Sequence, residues 1–200
     1  VRGLHRFYEE LALRFAEEGI NAVAIDYFGR TAGVAKRGDD FDFMDHVRQT
    51  KIATISEDTR AALDYLRSPE GGSCRALFTV GFCFGGSNSW LQAAQGHGLA
   101  GAIGFYGRPG TGLTGEPGPI DSVAKFECPI LGLMGGADPM IPEDQVNEYR
   151  QALDKAGVKN EIISYPGAPH SFFDRAYEQF QEASADAWQR VLAFVRANAG

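Results

Sequence analysis

One cysteine of the chain lies in a short glycine-rich segment that could present it as a nucleophile. Residues 81–86 read Gly-Phe-Cys-Phe-Gly-Gly, which has the form of the G-x-S-x-G nucleophile elbow with Cys83 in place of serine. The turn of such an elbow requires very small residues two before and two after the nucleophile, and Gly81 and Gly85 satisfy this requirement. The thiol would lie at a helix N-terminus, where the helix dipole favours a thiolate and the backbone N–H of Phe84 could stabilise a tetrahedral oxyanion.

Two later segments supply side chains that could activate this thiol. Residues 135–139 read Gly-Gly-Ala-Asp-Pro, and residues 169–173 read Pro-His-Ser-Phe-Phe. A free thiol is only slightly ionised at pH 7, so His170 would accept its proton and later protonate the leaving group. Asp138 would fix the tautomer of the imidazole and stabilise the imidazolium. The three residues therefore predict nucleophilic catalysis by a thiol.

These residue types also have ordinary structural roles. A buried cysteine usually behaves as a small hydrophobe, and glycine-rich turns between a strand and a helix also bind phosphates. No Lys-Ser or Lys-Thr follows Gly86, and the pattern is not G-x-G-x-x-G, so a nucleotide phosphate loop is excluded. The other two cysteines, Cys74 and Cys128, form neither a disulfide framework nor a zinc motif with Cys83. We therefore expect that the protein binds no metal ion and that it belongs to a reducing compartment.

The elements that must position these residues alternate between helix and strand along the chain. Such alternation predicts a mostly parallel sheet covered by helices, with the active site at the carboxyl ends of the strands. Residues 107–121 form a long Gly- and Pro-containing loop, and no linker is visible, so residues 1–200 are predicted to be a single domain. Apolar spacing predicts helices at 4–18, 49–66, 85–95, 143–156 and 177–197, and strands at 22–28, 76–83, 99–106, 129–134 and 161–165.

Composition limits the kinds of partner. The chain is 44% hydrophobic and 22% charged, which is typical of soluble globular proteins. Its 26 acidic and 19 basic residues give a net charge of −7, which would repel nucleic acid. No apolar run of about 18 residues and no signal-peptide pattern is visible, so no membrane association is predicted. We expect a cytoplasmic monomer or small homo-oligomer that acts on a small molecule.

Taken together, the segments resemble the dienelactone hydrolase family of the α/β-hydrolase superfamily. The resemblance covers nearly the whole chain and includes the order nucleophile, acid, histidine. It implies an α/β-hydrolase fold with a mostly parallel sheet flanked by helices. It also implies cofactor-independent hydrolysis of an ester or enol-lactone through a thioester acyl-enzyme on Cys83, with His170 and Asp138. The matching segments are 81–86, Met-Gly-Gly-Ala-Asp at 134–138, Gly-Ala-Pro-His-Ser-Phe at 167–172, Asp-Tyr-Phe-Gly-Arg at 26–30 and Ala-Trp-x-Arg around Trp188.

The resemblance also implies where this chain departs from the family. Family members have strands before the first helix seen here, and a glutamate that contacts the resting thiol would fall immediately before Val1. The N-terminal strands are thus expected to be missing from this chain, and the backbone N–H of Val1 would be the second oxyanion donor beside that of Phe84. The family's type enzymes bind a substrate carboxylate with an arginine four residues after the histidine. Asp174 stands there in this chain and would repel an anionic lactone.

Aromatic residues near the motifs indicate the nature of the pocket. Phe82, Tyr106, Phe172 and Phe173 could line an apolar acyl or aryl pocket, although core packing explains each of them equally well. Arg48 lies where the family supplies a further cationic contact and could bind a carboxylate, or it could belong to a solvated helix face.

The leading hypothesis is therefore a hydrolase of small esters or lactones with a Cys-His-Asp triad. One alternative is a flavodoxin-like thiol enzyme of the glyoxalase or amidotransferase kind, which depends on a glutamate and does not need Asp138 or His170. A second alternative is a non-catalytic ligand-binding protein built on a hydrolase fold. Such a protein has no reason to keep a base beside a thiol, which counts against this alternative.

Overall fold

The computed structural model describes residues 3–38, 40–112 and 114–200. Their contacts divide the chain into two compact units, Val1–Arg75 and Ala76–Gly200. Within the described ranges, no helix is both long and apolar enough to cross a membrane. In the same part of the chain, no group of three or more His, Cys, Asp or Glu side chains is arranged to hold a metal ion.

The first unit contains four helices among its described residues, separated by irregular segments. Its amphipathic first helix buries Leu11 and Phe15, and the His5 side chain caps it by accepting a hydrogen bond of 3.2 Å from the backbone N–H of Phe7. The predicted helix at 49–66 begins three residues later than expected, after a separate short helix. The helices are α1 (Arg6–Glu17), α2 (Gly29–Ala32), α3 (Met44–Gln49) and α4 (Ile52–Arg67).

The strand predicted at 22–28 is wrong. These residues are irregular up to a turn at Tyr27 and Phe28, because a strand needs a neighbour with which to exchange backbone hydrogen bonds and none of the described residues pairs with this segment. The Asp26 carboxylate instead accepts a hydrogen bond from the backbone N–H of Phe28 at 3.1 Å and pairs with Arg37 at 3.0 Å. The Arg37 side chain is only 3% exposed, so this ion pair anchors the segment.

The second unit contains a four-stranded sheet in the order β1-β2-β3-β4, with every neighbouring pair parallel. The strands predicted within 76–200 are confirmed, with ends that differ from the predicted ones by up to two residues. The helix predicted at 177–197 begins only at Gln181, after a 3₁₀ turn. The elements are β1 (Phe78–Phe82), α5 (Phe84–Gln92), β2 (Gly101–Phe105), a 3₁₀ helix (Pro119–Lys125), β3 (Ile130–Gly135), α6 (Glu143–Lys155), β4 (Asn160–Tyr165), a 3₁₀ turn (Tyr177–Gln179) and α7 (Gln181–Asn198).

Helices cover both faces of this sheet. A Cβ on Gly104 would lie 2.4 Å from the Trp90 ring of α5, whereas a Cβ on Gly101 would lie 2.5 Å from Phe194 of α7. Residues three apart in a strand point to opposite faces, so α5 and α7 lie on opposite sides. Trp90 packs against Tyr149 of α6, with ring centroids 5.0 Å apart, so α6 shares the face of α5. This is the mostly parallel, helix-flanked architecture predicted from the alternation of elements.

The carboxyl ends of the four strands lie along one edge of the sheet because the strands are parallel. Cys83 directly follows β1, and Tyr106 directly follows β2. Asp138 comes three residues after β3, and His170 five residues after β4. All four residues therefore lie on loops at the same edge, which is where a sheet of this kind holds its functional groups.

Candidate active site

Cys83 occupies a strained turn between β1 and α5. Its φ is 55°, in the left-handed region that a residue with a side chain rarely adopts. Its backbone N–H donates to the carbonyl of Phe105 at 2.9 Å, and its own carbonyl accepts from the N–H groups of Gly86 and Ser87 in the first turn of α5. These bonds fix the turn so that the half-buried thiol lies at the N-terminus of α5. This is the geometry that the elbow motif predicts.

The elbow depends on glycine at position 81. A Cβ on Gly81 would lie 1.9 Å from the carbonyl oxygen of Gly85, a backbone atom that cannot move without unwinding the start of α5. We expect Gly81→Ala to lower the free energy of unfolding by about 3 kcal/mol or more, measured by urea denaturation. Gly110→Ala is the matched control, because a Cβ at Gly110 would have nothing within 4 Å. Equal stability of the two variants would contradict this account of the elbow.

Asp138 holds the imidazole of His170. The Oδ2 atom of Asp138 lies 2.6 Å from Nδ1 of His170, and its Oδ1 accepts a hydrogen bond of 2.8 Å from the backbone N–H of Met140. The Asp138 side chain is only 1% exposed. An ionised carboxylate can only accept, so Nδ1 carries the proton in this pair and Nε2 of the neutral ring is left as an acceptor. The ring is thereby set in the tautomer that can remove a proton.

The thiol of Cys83 and the ring of His170 face each other. Burial raises the pKa of the Cys83 thiol, but the interaction with His170 and the backbone N–H of Phe84 outweigh it, and the net pKa is lowered. Burial lowers the pKa of His170, whereas Cys83 and Asp138 raise it, and the net pKa is raised. Nε2 is nevertheless buried without a well-aligned hydrogen bond to any described residue. The thiol thus interacts with the ring without completing a hydrogen bond to Nε2, and such catalytic hydrogen bonds commonly tighten only when substrate binds.

Backbone strain is concentrated around this site. Three of the four non-glycine residues with positive φ in the described part of the chain are Cys83 at 55°, Tyr106 at 36° and Ser171 at 62°. They follow β1, β2 and β4, and Ser171 is next to His170. Each such residue costs about 1–3 kcal/mol, and strained residues cluster where function requires a fixed geometry. The strain therefore marks the same edge of the sheet as the motifs do.

The predicted pocket aromatics form a buried cluster behind the site. Phe82 stacks on Phe105 with ring centroids 4.7 Å apart, and Phe173 lies 4.6 Å from Phe105. Phe82, Phe172 and Phe173 are 4%, 0% and 2% exposed, so they offer almost no surface to a ligand. Their burial matches the core-packing explanation that the sequence left open. The cluster supports the loop that carries His170, since Phe172 and Phe173 are part of that loop.

The remaining predicted site residues are Arg48, Val1 and Phe84. Arg48 lies on α3 in the first unit, where its exposed guanidinium donates to Asp45 at 2.8 Å. Val1 lies outside the described residues. Phe84 opens α5, and its backbone N–H is directed at the thiol.

One contact of the histidine loop was not foreseen from the sequence. The hydroxyl of Ser184, a fully buried residue of α7, donates to the carbonyl of Phe172 at 3.1 Å and ties the loop to the helix. The sequence feature that could have indicated this contact is a serine on the apolar face of a predicted helix, four residues before Trp188. Such a polar group requires a partner once it is buried.

Solved structures define the class of fold. The crystal structure named "putative dienelactone hydrolase" from Klebsiella pneumoniae is 32% identical and covers 96% of this chain and 82% of its own, with a TM-score of 0.86. A dienelactone hydrolase-like promiscuous phosphotriesterase from metagenomic libraries shares the fold at 22% identity, with a TM-score of 0.79 over 98% of this chain and 82% of that one. The protein has an α/β-hydrolase fold.

Sequence comparison narrows this class to one family. The profile of the dienelactone hydrolase family matches residues 1–198. A "putative carboxymethylenebutenolidase" of Escherichia coli K12 is 35% identical over 213 residues, covering 100% of this chain and 75% of the relative. A protein of the same name from a Synechocystis species is 32% identical, covering 96% of this chain and 80% of the relative. The chain belongs to the dienelactone hydrolase family, which indicates a hydrolase and not a flavodoxin-like thiol enzyme.

Proposed function

We propose that the protein hydrolyses small carboxylic esters or lactones, with Cys83 as nucleophile, His170 as general base and acid, and Asp138 as the residue that orients His170. The observation that carries the proposal is the series of three groups in which Asp138 holds Nδ1 of His170 at 2.6 Å while the imidazole interacts with the Cys83 thiol. Their chemistry is complete for acyl transfer, so the reaction needs no cofactor.

The reaction proceeds in two steps. His170 takes the proton of the Cys83 thiol, and the thiolate attacks the carbonyl carbon to give a tetrahedral oxyanion. The carbonyl then reforms as the bond to the alcohol oxygen breaks, and the imidazolium gives its proton to that oxygen, leaving a thioester on Cys83. A water molecule, deprotonated by His170, attacks the thioester and releases the carboxylic acid and the thiol.

The oxyanion is formed beside the first turn of α5. The backbone N–H of Phe84 is directed at the sulfur in the resting protein and would donate to the oxyanion once the thiolate has attacked. The N–H of Val1 stays the predicted second donor. A donor in this position is worth about 2.7–4 kcal/mol of transition-state stabilisation in comparable sites.

The charge of Asp174 bears on the class of substrate. This carboxylate lies four residues after His170, and its Oδ1 accepts a hydrogen bond from the Tyr106 hydroxyl at 2.8 Å. A negative charge on the loop that carries His170 would repel an acyl group that carries its own carboxylate. We therefore favour esters or lactones with an uncharged acyl group over an anionic dienelactone.

Chemical modification tests this function directly. We expect the protein to hydrolyse p-nitrophenyl butyrate, to hydrolyse the hemisuccinate ester more slowly, and to lose both activities in step with alkylation of Cys83 by iodoacetamide. Burial raises the pKa of the Cys128 thiol to about 12. At pH 7.5 Cys83 should therefore be alkylated at least ~100-fold faster than Cys128. Peptide mapping by mass spectrometry gives the rate for each cysteine.

Two results would contradict the proposal. Hydrolysis that persists after complete alkylation of Cys83 would exclude this thiol as the nucleophile. Saturable binding of the ester without release of p-nitrophenol would favour a ligand-binding protein instead.

A further inference from the structure

Tyr106 is placed where it can control the orientation of His170. Its side chain is 0% exposed, and its ring centroid lies 4.9 Å from that of His170 at an angle of 54°. Its φ of 36° is unfavourable for a tyrosine, so the surrounding structure holds it at the end of β2 against this cost. A rigid ring in this position limits where the imidazole can turn.

The Tyr106 hydroxyl makes the link to the histidine loop. It donates to Oδ1 of Asp174 at 2.8 Å, a contact between residues 68 apart in the chain. Asp174 belongs to the tight turn that follows His170, since its backbone N–H approaches the carbonyl of Ser171 at 3.3 Å. The hydrogen bond therefore links the turn that carries His170, which follows β4, to the end of β2.

The position of the imidazole is thus set from two directions. Asp138 fixes Nδ1 by a hydrogen bond, but one bond leaves the ring and its loop free to pivot about that contact. Contact with the Tyr106 ring and the bond from Tyr106 to Asp174 remove this freedom. A displacement of about 1 Å in a catalytic group can cost two orders of magnitude in rate.

We propose that Tyr106 and Asp174 are positioning residues that act through His170, with their mutual hydrogen bond holding Nε2 towards the Cys83 thiol. This proposal rests on the proposed function for its kinetic consequence, but not for its effect on the thiol. Loss of the hydrogen bond would let the ring move away, and the thiol would lose the partner that lowers its pKa.

Side-chain variants separate the hydrogen bond from the charge. Tyr106→Phe removes the donor and keeps the ring, whereas Asp174→Ala removes both the acceptor and the charge. Asp174→Asn removes the charge but keeps an amide oxygen that can accept from the hydroxyl. If the hydrogen bond does the positioning, Asp174→Asn should behave as the wild type, and the double variant Tyr106→Phe/Asp174→Ala should be no worse than either single variant.

The experiment measures the thiol and the turnover separately. The pH dependence of Cys83 alkylation by iodoacetamide reports the thiol pKa, and p-nitrophenyl butyrate hydrolysis gives kcat and KM. For Tyr106→Phe and Asp174→Ala we expect a higher thiol pKa, about tenfold slower alkylation at pH 7 and about tenfold lower kcat, with KM changed by less than about twofold. For Asp174→Asn we expect all four quantities to stay within about twofold of the wild type.

A matched control is Tyr177→Phe, because Tyr177 is 41% exposed and follows the same turn. Circular dichroism and thermal unfolding verify that each variant is folded. The proposal would be overturned if Tyr106→Phe kept the thiol pKa and the kcat of the wild type. It would also be overturned if Asp174→Asn were as impaired as Asp174→Ala. A wild type that is alkylated quickly at Cys83 but hydrolyses no ester would overturn the proposed function alone, and the alkylation profiles would still decide the role of the hydrogen bond.

Discussion

Replacing Cys83 by alanine is expected to lower kcat/KM for p-nitrophenyl butyrate by about 10⁴-fold or more, because the nucleophile and its covalent intermediate are both lost. The effect should be specific to the sulfur atom. Cys83→Ser keeps a hydroxyl in the same elbow, but an alcohol is far less ionised than a thiol when the base is an imidazole. We therefore expect Cys83→Ser to retain at most about 1% of the activity. Initial rates of p-nitrophenol release measure both variants.

Cys74→Ser is the matched control for this prediction. Cys74 lies in the first unit, where its Sγ accepts from the Asn21 amide at 3.4 Å and approaches the carbonyl of Gly71 at 3.6 Å. A serine hydroxyl can make similar contacts, so this variant should keep the activity of the wild type. Full activity in Cys83→Ala, or a comparable loss in Cys74→Ser, would be incompatible with Cys83 as the nucleophile.

Removing the imidazole should be almost as damaging. We expect His170→Ala to lower kcat/KM at pH 7 by about 10³-fold, since it removes both the base and the acid of the reaction. Asp138→Asn should cost about 10²- to 10³-fold, because an amide no longer fixes the ring in the tautomer that accepts the thiol proton. His46→Gln is the control and should leave the rate unaltered, because the ring nitrogen of His46 contacts the Thr31 hydroxyl at 2.9 Å and has no part in the proposed reaction.

The pH dependence of Cys83 alkylation tests the role of His170 independently of the reaction rate. A lowered pKa means that the Cys83 thiolate is present at pH values below the ordinary thiol pKa of about 8.5 and is lost as the pH falls through the lowered value. His170→Ala removes the largest influence that lowers the pKa of the thiol and leaves the effect of burial, which raises it, so the midpoint of alkylation by iodoacetamide should move to higher pH. A midpoint that stays at the same pH in His170→Ala would mean that the imidazole does not act on the thiol.

The parts of the site that could be predicted from sequence are those with local causes. Crowding at Gly81 explains why the elbow appears as a glycine pattern around Cys83. The alternation of strands and helices was enough to put Asp138 and His170 at the ends of neighbouring strands, because parallel strands share an edge. The architecture of the second unit follows from the same reasoning.

The features that escaped prediction depend on contacts between distant segments. The apolar run at 22–28 reads as a strand, but a strand exists only where another strand pairs with it, and periodicity cannot reveal that. The aromatic residues around the nucleophile could have lined a pocket or filled the core, and only their burial distinguishes the two. The Tyr106 bond to Asp174 joins residues 68 positions apart, so neither residue alone indicates it.

The most direct test of the proposed mechanism is a search for the acyl-enzyme itself. The wild type would be mixed with p-nitrophenyl butyrate, quenched in acid within milliseconds, digested and analysed by mass spectrometry. We predict a butyryl mass increase on the peptide that contains Cys83, appearing with the first turnover and disappearing when the ester is consumed. His170→Ala, which lacks the base for the second step, should accumulate the same adduct slowly and keep it. Release of p-nitrophenol by the wild type with no acyl group on Cys83 in either protein would contradict covalent catalysis by this thiol.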